Sequence, residues 1–407
     1  MEDKKNKFGF SVSVWIMGLV SFLNDVSTEM INPVLPIFIT TVLGAPASVV
    51  GLIEGIADAT SNFLMALTGI ASDKIKKRKP FVISGYGLST ISKIIYSMSY
   101  SWPMVLVGRV TNRAGKGVRT TARDALIVEA TEKEDRGKSF GLHRMMDNAG
   151  AIFGPMLSIG VLGLLNNNYR LMFFWAFIPS ALAMLLLVFL KERKKNPGED
   201  EDIHFDWKKT NSSFRIFLFI SLIFALASSS YAFLILRAQN LGMSVSLTIL
   251  AYILFNLSTS LTALPAGLLA DKIGPKKIIF SGYLLFALVY FAFGVAKSDW
   301  VVWVLFPAYG VYLGMTEGIG KAYISRLIPH EVAASGFGIY QTLLGFTTFF
   351  SSFIAGLIWT KFGPSYPFFL SSILALIAAL LFLILSKKIN IHPQAASVSH
   401  LLQKHNL

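Results

Sequence analysis

The chain has 407 residues, of which 54% are hydrophobic and only 15% charged. A water-soluble fold of that length could not hide so much apolar surface, and repeated apolar runs of ~20 residues make a bilayer the solvent. The lack of Cys excludes a disulfide framework, a thiolate metal site and a cysteine nucleophile. The net charge of +14 would suit nucleic acid, but Lys and Arg crowd alternate loops, as they do in polytopic membrane proteins, so no nucleic-acid partner is expected.

The segment Met1 to Lys7 is basic, and the apolar run behind it is long, carries Asp25 and Glu29 and lacks a small-residue cleavage site. It reads as a first membrane span rather than a signal peptide. About twelve spans are expected, at roughly 10–40, 47–71, 80–100, 103–127, 139–165, 169–190, 214–238, 244–270, 277–296, 299–325, 334–360 and 365–386. The loop at 72–79 holds Lys74, Lys76, Lys77, Arg78 and Lys79, and the loop at 271–277 holds Lys272, Lys276 and Lys277. The loops near 41–46, 98–102 and 239–244 hold no Lys or Arg. Basic loops stay on the cytoplasmic side, which places both termini there.

The long hydrophilic stretch at 191–213 reads as a cytoplasmic linker between two six-helix bundles, 1–190 and 214–389, and the polar tail 390–407 is expected to be disordered. The halves repeat. Gly69, Asp73, Lys74 and Ile75, then basic residues, then Ser84-Gly85-Tyr86, return as Gly267, Asp271, Lys272 and Ile273, basic residues, then Ser281-Gly282-Tyr283. Phe140-Gly141 is echoed by Phe337-Gly338. Internal repeats of several spans mark transporters, whose substrate sites lie at the repeat interface near the midplane.

These residues resemble the major facilitator superfamily. Its loop signature between the second and third spans, Gly-x-x-x-Asp-Arg/Lys-x-Gly-Arg/Lys-Arg/Lys, is matched by Gly267, Asp271, Lys272, Gly274, Lys276 and Lys277, and in the first copy by Gly69, Asp73, Lys74, Arg78 and Lys79, with Lys76 in place of the second Gly. The fifth span resembles the family's antiporter motif at Gly141, Gly150, Gly154 and Pro155, with Ser158-Ile159 where a Gly pair is usual. The resemblance implies an all-α fold of twelve transmembrane helices in two pseudo-symmetric bundles that rock about a central cavity. It further implies that the loop signature latches the cytoplasmic face, its basic residues meeting a carboxylate at the end of the fourth span. Asp124, beside Arg123, holds the matching position. A carboxylate at a helix N-terminus, as the signature Asp would be, is stabilised by free N–H groups and the helix dipole.

The fourth span carries Arg109, Arg113, Lys116, Arg119 and Arg123, a stripe within an arc of roughly 120° over ~21 Å of helix axis. An isolated cation at mid-membrane costs ~2.5–3.5 kcal/mol on insertion scales, so such a stripe must face water, acids or an anionic ligand. The acids are close in sequence: Asp25, Glu29 and Asn32 share a face of span one, and Glu54, Asp58 and Asn62 are spaced by four on span two. Asp25, Glu29, Glu54 and Asp58 are the expected proton-coupling residues. Arg109, Arg113, Lys116 and Asn32 are the expected solute-binding residues, with Tyr231, Asn256, Tyr309 and Gln341 of the second half opposite them. Gating is expected of Gly69, Asp73, Arg78, Arg123, Asp124, Gly267, Asp271 and Lys272. Guanidinium forks match carboxylates and phosphates, so the stripe suggests an anionic solute. If the acids of spans one and two neutralise the bases, the cavity would instead take a neutral or cationic compound.

Gly115-Lys116-Gly117 lacks the earlier Gly and the following Ser/Thr of a phosphate loop, so ATP binding is not expected. His143 and Asp147 share a helix face, but the other histidines are scattered, and neither a metal nor another cofactor is expected. No Ser/His/Asp arrangement suggests an enzyme. The expectation is a monomeric, proton-coupled secondary transporter of a small anionic organic solute in a bacterial cytoplasmic membrane, in contact with lipid, with export favoured by the antiporter-like motif. The alternatives are an uptake symporter for a carboxylate siderophore or organic acid, and a lysolipid transporter or non-transporting receptor on the same fold.

Overall fold

The computed structural model describes residues 10–75, 77–132, 135–190, 210–328 and 333–389. Lys76, most of the expected linker and the tail from 390 lie outside them, and the side chains of Asp73 and Lys74 are likewise outside the description. Among the described residues the structure is helical, with no strand. Twelve long helices follow in order: α1 (Val12–Ile31), α2 (Ala47–Ile75), α3 (Lys79–Ser97), α4 (Trp102–Glu129), α5 (Arg136–Leu164), α6 (Tyr169–Leu186), α7 (Ser212–Ala227), α8 (Val245–Ile273), α9 (Pro275–Val295), α10 (Val302–Ser325), α11 (Ala333–Phe362) and α12 (Tyr366–Leu385). Among the described residues nine helical stretches are long and apolar enough to cross a membrane. The basic stripe keeps α4 out of that set.

Local chemistry sets the ends. Ser11 caps α1 by accepting from Val14 N–H at 3.3 Å, and Ser244 caps α8 by accepting from Leu247 N–H at 3.4 Å. Gly274 adopts φ +93° between α8 and α9, a conformation open to glycine at no steric cost, and Pro275 then starts α9 where its missing N–H is harmless.

Two spans expected to be continuous are broken. After α1 the chain turns at Asn32-Pro33-Val34 and resumes as Leu35–Ile37, followed by a π turn, Phe38–Val42. After α7 it opens over Ser228-Ser229-Ser230 and resumes as Ala232–Asn240. Pro33 explains the first break, since it cannot donate to the helix. At the second, serine hydroxyls take over backbone donors: Ser230 Oγ accepts from Ala232 N–H at 3.3 Å, and Ser352 Oγ accepts from Ser230 N–H at 3.1 Å. Such breaks survive at membrane depth only where protein surrounds them.

In the first half α1 packs on α5 and α6, α2 on α4, and α3 on α4 and α6; in the second, α8 packs on α10, α9 on α10 and α12, and α7 on α11 and α12. The halves meet where α2 lies against α11 and α5 against α8. On the face away from the basic loops this seam is tight. Gly51 lies against the Ser352 carbonyl, Gly356 against Ala47 and Ser48, and Thr360 Oγ1 accepts from Ser48 N–H at 3.0 Å. Towards the basic face the helices part. Gly141, Gly267, Gly318 and Gly338 have nothing within 4 Å of a built Cβ position. A cavity of about 290 Å³ opens there between α8 and α10, with Gly267, Asp271, Glu317 and Arg326 among its walls and Arg144 at its mouth.

Candidate functional site

The stripe of α4 is held by glycines. Gly115 lies against the Gly85 carbonyl and Ser89 of α3, and Gly117 against the Ser61 carbonyl of α2. These two glycines, which flank Lys116, therefore serve helix approach and cradle no phosphate.

The stripe's cations have different partners. Arg109 pairs with Glu54 at 2.8 Å, both side chains only 2% exposed, and donates to Asn32 Oδ1 at 2.6 Å. Arg113 pairs with Asp58 at 3.2 Å, with 15% and 30% of the side chains exposed. Arg119 donates to Ser89 Oγ at 2.6 Å and lies 4.5 Å from the centre of the Tyr86 ring, a cation–π contact. Arg123 pairs with its neighbour Asp124 at 2.9 Å. Lys116 is exposed and holds no ion pair or side-chain hydrogen bond among the described residues.

The four candidate proton carriers thus divide. Glu54 and Asp58 are committed to guanidinium groups. Glu29 accepts from Asn32 Nδ2 at 2.8 Å and from the Tyr252 hydroxyl at 2.9 Å, with no cation in contact among the described residues. Asp25 receives only the neighbouring Asn24 amide, at 3.4 Å, among the described residues. Lys116 stands within electrostatic reach of Asp25 and Glu29. The antiporter-like glycines press α5 onto the same two acids. A Cβ on Gly150 would fall 2.8 Å from Asp25 Cβ, and one on Gly154 would fall 2.8 Å from Glu29 Cβ; Gly141 has no such neighbour.

The expected second-half residues are less united. Tyr231 stands 5.5 Å from Tyr252, ring to ring. Asn256 donates to the Ala151 carbonyl at 3.1 Å and so ties α8 to α5. Tyr309 is buried in an aromatic cluster with Phe255, Phe286, Tyr290 and Tyr312. Gln341 is half-buried on α11.

At the basic face a Cβ on Gly69 would fall 3.6 Å from Thr121 Cγ2, and Arg78 donates to Ser72 Oγ at 2.7 Å. Among the described residues Arg78 also pairs with Glu129 at the end of α4, at 3.7 Å. Asp124 sits more than one turn earlier in α4 and is engaged by Arg123. Asp271 and Lys272 are exposed beside the cavity. Glu317 joins Lys321 at 3.1 Å on its own helix and Arg144 of the first half at 3.8 Å. His143 lies 3.5 Å from Asp147, and no group of metal-ligating residues assembles among the described residues. Tyr252, Ser230 and Glu129 were not singled out by sequence, since nothing local marks them.

Two pseudo-symmetric bundles, a charged seam at their centre and an opening on one face define a multi-pass membrane transporter. The sequence profile of the Major Facilitator Superfamily matches residues 17–235 and 216–402, and the chain belongs to that family. It is 36% identical over 388 residues to an uncharacterised MFS-type transporter of Methanocaldococcus jannaschii, covering 94% of this chain and 97% of that one. In fold it is similar to the nucleoside transporter NupG, with a TM-score of 0.76 at 14% identity over 93% of this chain and 100% of that one. It is also similar to a peptide transporter of the POT type, with a TM-score of 0.77 at 15% identity over 96% and 97% of the two chains.

Proposed function

We propose that the chain is a proton-coupled secondary transporter of a small organic anion, working as a monomer in a prokaryotic cytoplasmic membrane. The two halves, 1–190 and 214–389, joined by the linker at 191–213, rock about the charged seam. With the basic face in the cytoplasm, this structure is the inward-open state. Arg78 with Glu129, and Gly69, Asp73, Gly267, Asp271 and Lys272, then serve the closing of that face.

The observation that carries the reading is the mismatch at the seam. Among the described residues Asp25 and Glu29 have no cation in contact, and Lys116, an exposed cation, has no carboxylate in contact. Protonating a carboxylate held by a guanidinium breaks a buried ion pair, which is costly; protonating Asp25 or Glu29 breaks no ion pair in contact, and buried Lys93, within electrostatic reach of both, keeps its hydrogen bond to Thr28. Asp25 and Glu29 are therefore the proton sites, and Glu54 and Asp58 hold the frame. Loading them with protons leaves Lys116 in positive excess, beside the partly exposed Arg113–Asp58 pair, and draws an organic anion into the cavity. The glycines that fix α5 against both acids suit a motif found in antiporters and favour export, with the solute leaving as protons enter.

The test is solute counterflow in proteoliposomes, with organic acids, carboxylate siderophores, lysolipids and cationic and neutral compounds as the panel. Acceleration by anions alone, lost in Lys116→Gln and retained in Lys321→Gln, is expected. Uptake of cationic or neutral compounds that survives Lys116→Gln would overturn the anion reading.

A further inference from the structure

Five contacts join into one path that starts and ends in the second half. The Tyr252 hydroxyl of α8 donates to Glu29 at 2.9 Å; Glu29 accepts from Asn32 at 2.8 Å; Asn32 accepts from Arg109 at 2.6 Å; Arg109 pairs with Glu54 at 2.8 Å; and the Ser230 hydroxyl reaches Glu54 at 3.5 Å. The path crosses both helix breaks, at Asn32 after α1 and at Ser230 after α7. Its inner members are deeply buried: Arg109 and Glu54 are each 2% exposed and Asn32 6%.

We infer that this path is a clamp between the halves, anchored by Tyr252 and Ser230, which keeps the face opposite the basic loops closed while Glu29 is ionised. Arg109 and Asn32 are then positioning residues of the clamp and do not touch the solute.

Glu29 is the link of the clamp that a proton weakens. A hydrogen bond to an ionised acceptor is roughly twice as strong as one between neutral groups. A proton on Glu29 leaves Tyr252 facing a neutral acceptor, and the second half loses its stronger anchor. Rocking about the seam must separate Tyr252 from Glu29 and Ser230 from Glu54, because each pair has one member in each half. Proton loading at Glu29 therefore destabilises the closed face and shifts the equilibrium towards its opening. The groups around Glu29 that bear on its charge are Lys116 and Arg113 of α4, Lys93 of α3, Asp25 of α1, and Tyr231 and Tyr252 of the second half. Gly154 of α5 presents only backbone to it.

The inference rests on the reading of Glu29 as a proton site, and the experiment separates the two. The chain has no Cys, so two engineered cysteines can be spin-labelled without background. Ser101→Cys and Ser298→Cys sit in exposed loops on the closed face, one in each half. Their distance distribution is measured by pulsed electron resonance in lipid nanodiscs from acid to alkaline pH. The unsubstituted pair is expected to shift from closed to open populations as pH falls. Tyr252→Phe keeps the ring but removes the donor; it should lower the closed-to-open ratio at alkaline pH roughly tenfold or more and flatten the pH response. Glu29→Gln should be open-shifted and flat. A Tyr252→Phe response as steep as the parent's, with Glu29→Gln flat, would sink the clamp and leave the proton site standing. A steep response in Glu29→Gln carried in an Asp25→Asn background, which removes the other proton site, would sink both. Ser230→Ala, which removes the longer contact, should give a smaller open shift than Tyr252→Phe; an equal or larger one would place the stronger anchor at the α7 break and overturn the assignment to Tyr252.

Discussion

Arg109 and Glu54 offer the most exacting test of the energetics of the seam. Their contact is 2.8 Å and both side chains are 2% exposed. Taking two charges out of water costs several kcal/mol per ion, and mutual attraction repays it only with good geometry and further hydrogen bonds. Here Asn32 supplies one such bond to the guanidinium, while its Nε has no partner. Glu54→Gln leaves Arg109 as a buried cation without counter-charge, and Arg109→Gln does the same to Glu54; each should cost ~3–5 kcal/mol of unfolding free energy. The double variant removes both charges and leaves two amides able to bond each other and Asn32. It should be more stable than either single, with a coupling free energy of ~2–3 kcal/mol. Reversible denaturation in mixed micelles, run on all four members of the cycle, measures it. The exposed pair Arg144–Glu317, 3.8 Å apart with 61% and 39% of the side chains accessible, serves as the control and should couple by less than ~1 kcal/mol. A coupling within ~0.5 kcal/mol of zero for Arg109–Glu54 would refute the view that each charge is held in the protein by the other.

Gly150→Ala and Gly154→Ala place a methyl 2.8 Å from Asp25 Cβ and Glu29 Cβ, with backbone carbonyls of α1 equally near. Each should destabilise by ~1–3 kcal/mol, whereas Gly141→Ala, with open space around it, should leave the melting temperature in detergent unchanged. Arg237 donates to the Phe293 and Ala296 carbonyls at 3.1 and 2.8 Å, to Asn240 at 2.6 Å and to Ser365 at 3.1 Å. Arg237→Met strands these acceptors and should cost ~1–3 kcal/mol while leaving the solute preference in counterflow as it was. Arg78→Ala and Glu129→Ala should each change the closed-face distance less than Tyr252→Phe does, because both residues act on the opposite side; spin-label distances on each face decide this.

Much of the molecule was legible in the chain. The twelve spans fall close to the helices observed because insertion into a bilayer is governed by local composition over ~20 residues. The loop repeat at Gly69 and Gly267 exposed the two halves, and the 4–3 spacing from Arg109 to Arg123 put five cations on one side of α4. What remained hidden was partner choice. Four acids on two helices could each have met the stripe, and nothing local told Glu54 and Asp58, which took the arginines, from Asp25 and Glu29, which did not. Glu129, about a turn and a half beyond Asp124 on the helix, reaches Arg78, a contact that no local signal in the chain marks. The Tyr252–Glu29 bond joins residues 223 positions apart. Ser228-Ser229-Ser230 carries no proline and reads as ordinary helix until Ser352 is seen to take its backbone donor. Sequence determines which segments enter the membrane and which charges must be shielded there, since both are set by solvation of the segment alone. Which charge shields which, and where a helix can afford to break, depends on the rotation and separation of neighbouring helices. Those are fixed by glycine contacts and side-chain packing across the whole bundle, so only the tertiary structure decides them.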